Sequence, residues 1–249
     1  VNKRGAGAAW EGEEDANADS ATPGLAEITP PMGRLASRPK VTEEMLDDAM
    51  FNVEQWLAEE VSKEFAIKEG AAFVNGDGTN KPRGFLATGT PVATADATRA
   101  FGALQFVASG QAAAMPTTID PLIDLIYELK AGHRNGATLV TNRRILAILR
   151  KYKDSDGQYL WQPATAGGQP QTFLGYPIAE AEDMPSVAAN AFPLAFGNFK
   201  AGYQIVDRTG MRVLRDPFSA KPHIEFYSRK RVGGAVIDSE AIKLLKIAA

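Results

Sequence analysis

The chain has 249 residues, 45% of them hydrophobic, a net charge of −3 and no cysteine. That apolar content suffices for one large core or two modest ones, while the absence of thiols excludes disulfide scaffolds, thiolate zinc sites and cysteine nucleophiles. The mild negative charge argues against a basic DNA-reading domain, and no apolar run approaches the roughly 20 residues that span a bilayer.

The sequence opens at Val1, not at an initiator Met, and is expected to be a processed or partial product. Residues 1 to about 40 are rich in Gly, Ala, Pro and acid, with Trp10 the one large apolar side chain in the first half of that stretch. Such a segment buries no core of its own and reads as a flexible tail or as an arm ordered by something else. Between Gly5 and Gly33 it carries Glu11, Glu13, Glu14, Asp15, Asp19 and Glu27 and no Lys or Arg.

Thr42 is an N-cap candidate, followed by Glu43, Glu44, Asp47 and Asp48, which suit the start of a helix dipole. Leu46, Met50, Val53, Leu57, Val61 and Phe65 then recur at spacings of three and four. They predict one continuous helix of roughly 40 Å with a single apolar stripe. Gly70 interrupts the pattern near its end. Asn75-Gly76 and Asp77-Gly78 are pairs that tolerate positive φ, and Pro82 forbids an immediate return to helix. The run is a structured turn. As a calcium loop it fails, because counting from Asn75 the sixth residue is Asn80 and the twelfth Leu86, where Gly and Glu are needed. As a dinucleotide fingerprint it fails at Lys81, where a third Gly belongs.

Asp120 as cap, Pro121 at the first helical position and Leu122, Leu125, Ile126 and Leu129 as the buried face predict a second helix ending before Gly132. Ala137 to Val140 reads as a buried strand, and Arg143 to Lys153 as a third helix with Ile145, Leu146, Ile148 and Leu149 inward. From Thr172 the pattern turns to strand, at 173–179, 194–196, 203–208, 211–215 and 224–229. Thr209-Gly210 reads as a hairpin tip, the segment from Asp216 to Pro222 as a proline-stiffened loop, and Gly233-Gly234 as a break before a last apolar segment. The class is α+β. Asp207 to Val232 holds seven cations, Arg208, Arg212, Arg215, Lys221, Arg229, Lys230 and Arg231, against three acids. Two readings stand: acidic and basic segments as separate solvated faces, or an acidic arm of one copy meeting the basic surface of another.

No catalytic constellation emerges. His133 and His223 lie 90 positions apart, outside any zinc spacing, and neither a nucleophile elbow nor a phosphate-binding Gly-Lys loop occurs. The paired carboxylates Glu13/Glu14 and Asp47/Asp48 sit where nothing would raise one pKa for acid catalysis. No enzyme activity, cofactor or metal is expected.

Four blocks, in order, resemble the major capsid proteins of tailed bacteriophages, the Hong Kong 97-like family. Ala8-Ala9-Trp10-Glu11-Gly12-Glu13 resembles the extended loop. Val41 to Phe73, opening Glu43-Glu44-Met45-Leu46-Asp47-Asp48, resembles the spine helix. Phe73 to Leu86 resembles the Asn-Gly-Asp-Gly turn, formed here by Asn75, Gly76, Asp77 and Gly78. Arg231 to Val236 with Glu240 to Leu245 resembles the C-terminal segment. The resemblance implies an extended β-hairpin loop (E-loop) at 1–38, a P-domain with the spine helix at 39–75 and 206–232, and an A-domain at 76–205 and 233–249. It implies a major capsid protein that self-assembles, through pentamers and hexamers, into an icosahedral-type shell around double-stranded DNA without base readout. Portal, scaffold and protease would be further partners, and assembly would take place in the bacterial host cytoplasm. The subunit interface would join Trp10, Glu11, Glu13, Glu14 and Asp15 of one copy to Lys221, Arg229 and Arg231 of another. Family chains carry an N-terminal arm before the extended loop, which this sequence does not show. Some relatives crosslink a loop Lys to an Asn beside a catalytic Glu; with no Lys between Gly5 and Pro39, no such crosslink is expected. A gene transfer agent head, a nanocompartment shell of the same fold and a monomeric small-molecule-binding α+β protein with one apolar pocket are the alternatives.

Overall fold

A computed structural model describes residues 10, 22, 24–154, 156–161 and 172–249, together with the backbone of 2–3. In chain order the elements are β1 (Asn2–Lys3), β2 (Gly24–Leu25), β3 (Met32–Ser37), β4 (Lys40–Thr42), α1 (Glu43–Asp48), α2 (Val53–Asn75), β5 (Gln105–Ala108), α3 (Asp120–Glu128), α4 (Ala131–Arg134), β6 (Thr138–Thr141) and α5 (Arg143–Leu149). Then follow β7 (Thr172–Phe173), β8 (Tyr176–Glu180), β9 (Leu194–Gly197), α6 (Phe199–Gly202), β10 (Tyr203–Asp216), β11 (His223–Val236) and β12 (Ile242–Lys246).

A six-stranded mixed sheet, ordered β5-β12-β9-β6-β8-β7, forms the larger body. Side chains alternate across it as a pleated strand requires. Leu139, Leu194, Phe196 and Leu245 face one apolar cluster with Leu122 and Leu125 of α3, Leu129 just past its end, and Ile145 and Leu149 of α5. Ala195, Ile242 and Leu244 face the other, with Val74, Phe85 and Val236. Helices on one side and the end of α2 on the other make this sheet buried on both faces.

The second body is a long antiparallel sheet in which β11 pairs β10 along one edge and β3, then β4, along the other. Val53 and Leu57 of α2 pack on Ile224 and Phe226 of β11 and on Val41. Buried Val61 and Phe65 continue the helix stripe.

Several local expectations need correction. The helix from Thr42 is not continuous: α1 ends at Asp48 with Ala49 extended, and α2 restarts at Val53. Asn52 caps the restart, its side-chain oxygen accepting from Gln55 N at 3.0 Å, and Met50 is fully exposed, off the apolar stripe. Asp120 is the first residue of α3 and caps nothing; Ile119 holds the N-cap without a side-chain bond. The third helix stops at Leu149 instead of Lys153, because the chain tightens into a turn in which Lys151 N donates to Ile148 O. The strand expected over 173–179 is a hairpin, β7 to β8, turning through Leu174 and Gly175, both with positive φ.

Thr209-Gly210 is no hairpin tip. It lies inside the 14-residue β10, at a pair of register shifts between Asp207 and Arg212. The tip is the loop between Asp216 and His223, where Asp216 Oδ1 accepts from Phe218 N at 2.9 Å and the Lys221-Pro222 bond is cis. Gly233-Gly234 does not break the chain either. Both lie within β11, and added Cβ atoms would overlap the sulfur of Met32 and the hydroxyl of Tyr203. They are glycine for close approach.

Candidate functional site

Two features bear on function: the junction where the two bodies meet, and the face of the long sheet that no helix among the described residues covers. The junction is built on the turn after α2. Gly76 has an ordinary backbone conformation, φ −62° and ψ 135°, so its expected role in a positive-φ pair is wrong. A side chain there would overlap the carbonyls of Pro82 and Ala72. Gly84 is similarly pressed against Val74 O and Asn75 N. Positive φ falls on Gly78 at 81° and Asn80 at 55°, the residue types that accept it at least cost.

These close approaches let the returning chain bond to the helix end. Gly84 N donates to Gly76 O at 2.8 Å and Phe85 N to Phe73 O at 3.0 Å. Asp77 Oδ1 accepts from Thr79 N at 2.8 Å, and the Asn75 amide donates to Asp183 O at 2.6 Å. Arg83 binds both strands of the long sheet, its N–H donating to Gly234 O at 2.9 Å and its carbonyl accepting from the Tyr203 hydroxyl at 2.8 Å. Burial raises the Tyr203 pKa well above the ordinary phenol value, so that hydroxyl stays a donor. The turn therefore fixes α2, β10 and β11 against the six-stranded sheet.

On the long sheet, β11 alternates from His223 to Val232 and is buried on both faces beyond it. Ile224, Phe226, Ser228 and Val232 are buried beneath α2, and Lys230 on the same face is neutralised by Glu69 at 2.7 Å with Asp207 at 3.8 Å. Tyr227, Arg229 and Arg231 point the other way. Arg231 stands opposite Arg34 of β3 on one side and Thr209 of β10 on the other, while Arg229 stands opposite Arg212. Arg34, Thr209, Arg212, Arg229 and Arg231 line one cleft of about 380 Å³. All four arginines are exposed.

Of the expected interface residues, Arg229 and Arg231 thus lie two apart on one face, but Lys221 does not join them. It lies in the tip loop beyond His223, which is itself about 20 Å along the strand from Arg229. Trp10 is fully exposed. Glu11, Glu13, Glu14 and Asp15 lie outside the described residues. Sequence reading missed Arg34, which falls within the acidic arm's span, and the grouping of Arg212 with Arg229. The Arg-x-Arg alternation at 229 and 231 was a usable signal for a shared face; the β10 register was not.

Among the described residues no group of three or more His, Cys, Asp or Glu could hold a metal ion, and no helix is long and apolar enough to cross a membrane. His133 approaches Asp238 at 3.7 Å, and His223 sits in the ladder opposite Thr42. One buried ionic cluster lies in the larger body: Lys243 of β12 donates to Asp96 and Gln105, and Asp96 also pairs with Arg99 at 2.6 Å.

The phage capsid family matches residues 1–247, and the chain belongs to that family. Among solved structures it is similar to the capsid of an empty GTA (gene transfer agent) particle, with 47% identity and a TM-score of 0.90 over 100% of this chain and 83% of that one. A Gordonia phage Cozz chain matches at 19% identity and TM-score 0.63 over 100% of this chain and 80% of that one. The SrpI encapsulin of Synechococcus elongatus matches at 13% and 0.63 over 92% and 76%. The latter two likenesses show the fold alone. The fold is thus the Hong Kong 97-like capsid fold expected from the four sequence blocks. No curated protein sequence matches the chain.

Proposed function

We propose that this chain, as a member of the phage capsid family, builds the head of a gene-transfer-agent-like particle, assembling into an icosahedral-type shell of pentamers and hexamers around double-stranded DNA. The observation that carries the reading is full-length likeness, at 47% identity, to a GTA capsid chain. The role is structural, without catalysis. Assembly would occur in the bacterial cytoplasm, with a portal and a scaffold or protease as further partners.

In this reading 1–38 is the extended loop, 39–75 and 206–232 the P-domain, and 76–205 with 233–249 the A-domain. The acidic arm, with Trp10, Glu11, Glu13, Glu14 and Asp15, meets the basic sheet face of a neighbour around Arg229 and Arg231. DNA would be enclosed without base contacts, since a chain of net charge −3 has little general affinity for phosphate. Purified particles treated with nuclease test the cargo. Protected double-stranded DNA supports the reading; shells that protect only protein would turn it toward a nanocompartment.

A further inference from the structure

We propose that Arg34, Arg212, Arg229 and Arg231 form one carboxylate-binding face, and that its occupant in the shell is the acidic segment Glu11–Asp15 of a second copy. This rests on the shell reading and sharpens it, adding Arg34 and Arg212 to the interface and leaving Lys221 out.

Three observations carry it. First, the four side chains form two directly opposed like-charge pairs, Arg34 with Arg231 and Arg212 with Arg229, an arrangement that destabilises a sheet unless an anion lies between them. None of the four makes an ion pair among the described residues. Their neighbours do: Lys230 has Glu69 and Asp207, while Arg38 and Lys40 share Glu225.

Second, the grouping depends on a bulge. Thr209 pairs Arg231 whereas Arg212 pairs Arg229, so Gly210 and Met211 together oppose Lys230 alone. This bulge is the second of two shifts in β10, the first lying between Asp207 and Thr209; with the first kept and this one removed, Arg212 would pair Ser228 and face α2. A bulge re-aims side chains in this way, and such irregularities are retained where they serve a site.

Third, all four cations are arginines, whose planar fork matches carboxylates in bidentate fashion. The segment Glu11-Gly12-Glu13-Glu14-Asp15 offers four carboxylates within five residues. It is preceded by the fully exposed Trp10. Beside the arginines on the same face, Leu214, largely exposed, stands opposite Tyr227. An indole next to a run of acids has both a charged and an apolar partner there, whereas a phosphate backbone would leave Leu214 bare.

The test is a charge exchange in the full-length chain, read by light scattering and electron microscopy of shells. R212E/R229E and E13R/E14R, each folded by circular dichroism, should alone give shells reduced at least about tenfold, the factor attached to one lost charge-assisted pair. Mixing the two should restore assembly in part, because each supplies in trans what the other lacks wherever the two alternate, as a ring of six allows and a ring of five does not, and the chain carrying all four changes should assemble unaided. Should R212E/R229E disturb folding, R212Q/R229Q replaces it, and that unassembled subunit should melt above wild type at low salt through relief of repulsion. Normal shells from either charge variant would overturn the proposal. So would rescue by the fourfold chain without rescue by mixing, which would assign the face to the subunit's own arm. Normal shells that lose retained duplex DNA would assign it to nucleic acid. Failure of wild type to form any shell would instead reject the shell reading itself.

Discussion

Removing the Asp96 carboxylate should destabilise the larger body as severely as emptying part of its apolar core. The side chain is 8% exposed and lies against the Arg99 guanidinium, 2% exposed, and the Lys243 ammonium, which is fully buried; Lys130 stands 3.8 Å away. Asp96→Ala leaves two buried cations facing each other with no carboxylate in direct contact, Glu128 reaching them only through Gln105, a loss of about 3–5 kcal/mol. Lys243→Met behaves differently. Burial pushes the Lys243 pKa down against the pull of Asp96, so its charge is the costly member, and Asp96 keeps Arg99 when it is gone. That change should cost no more than about 2 kcal/mol. Burial pushes the Asp96 carboxyl up, but the Lys243 hydrogen bond and the charges of Lys243, Arg99 and Lys130 prevail and hold it below its ordinary value. Because the folded pKa is the lower one, the stabilisation is complete above the unfolded value of about 3.9. It is lost as the pH falls through the folded value. Urea unfolding of the unassembled subunit, followed by circular dichroism between pH 7 and pH 3, reads both effects. The gap between wild type and Asp96→Ala should narrow below about pH 4. A Lys243→Met loss equal to or larger than that of Asp96→Ala would refute the assignment of Lys243 as the costly charge.

Gly84→Ala should lower subunit stability by about 1–3 kcal/mol, since its Cβ would meet Val74 O and Asn75 N; an unchanged melting temperature would mean that the turn can shift away from the helix end. Asn52→Ala should cost about 1 kcal/mol through loss of the bond to Gln55 N, while Asn52→Asp should cost almost nothing, both read by chemical denaturation. Tyr203→Phe should cost about 1–2 kcal/mol, because the Arg83 carbonyl loses its hydroxyl donor. With no Lys between Gly5 and Pro39, assembled particles should dissolve to single subunits on denaturing gels, and a covalent ladder through that loop would contradict this.

What the sequence made legible was periodic or local. The α2 stripe at Val53, Leu57, Val61 and Phe65 and the α3 face at Leu122, Leu125, Ile126 and Leu129 are buried as their spacing requires. The helix break was also written in the chain, since Asn52 with Gln55 three residues later has the form of a capping box, but the longer apolar pattern masked it. Gly76, Gly84, Gly233 and Gly234 could be marked only as turn or break residues. Their need for glycine comes from atoms distant in sequence, such as Pro82 O, Met32 and Tyr203, which no local rule supplies. The arginine face was half legible. Arg229 and Arg231 share a face by alternation, but Arg34 comes from another strand and the pairing of Arg212 is set by two register shifts along β10, and each such shift moves a side chain to the opposite face without leaving a mark in composition. The Lys243 cluster was invisible because a lone lysine in the apolar run from Ile242 to Leu245 gives no sign of Asp96, 147 positions earlier.

Negative-stain electron microscopy of the expressed chain, with light scattering on the same sample, reads shell formation itself. Closed shells tens of nanometres across are the expected result. A monodisperse monomer persisting across salt and pH, in the presence of the remaining head proteins, would contradict the shell reading.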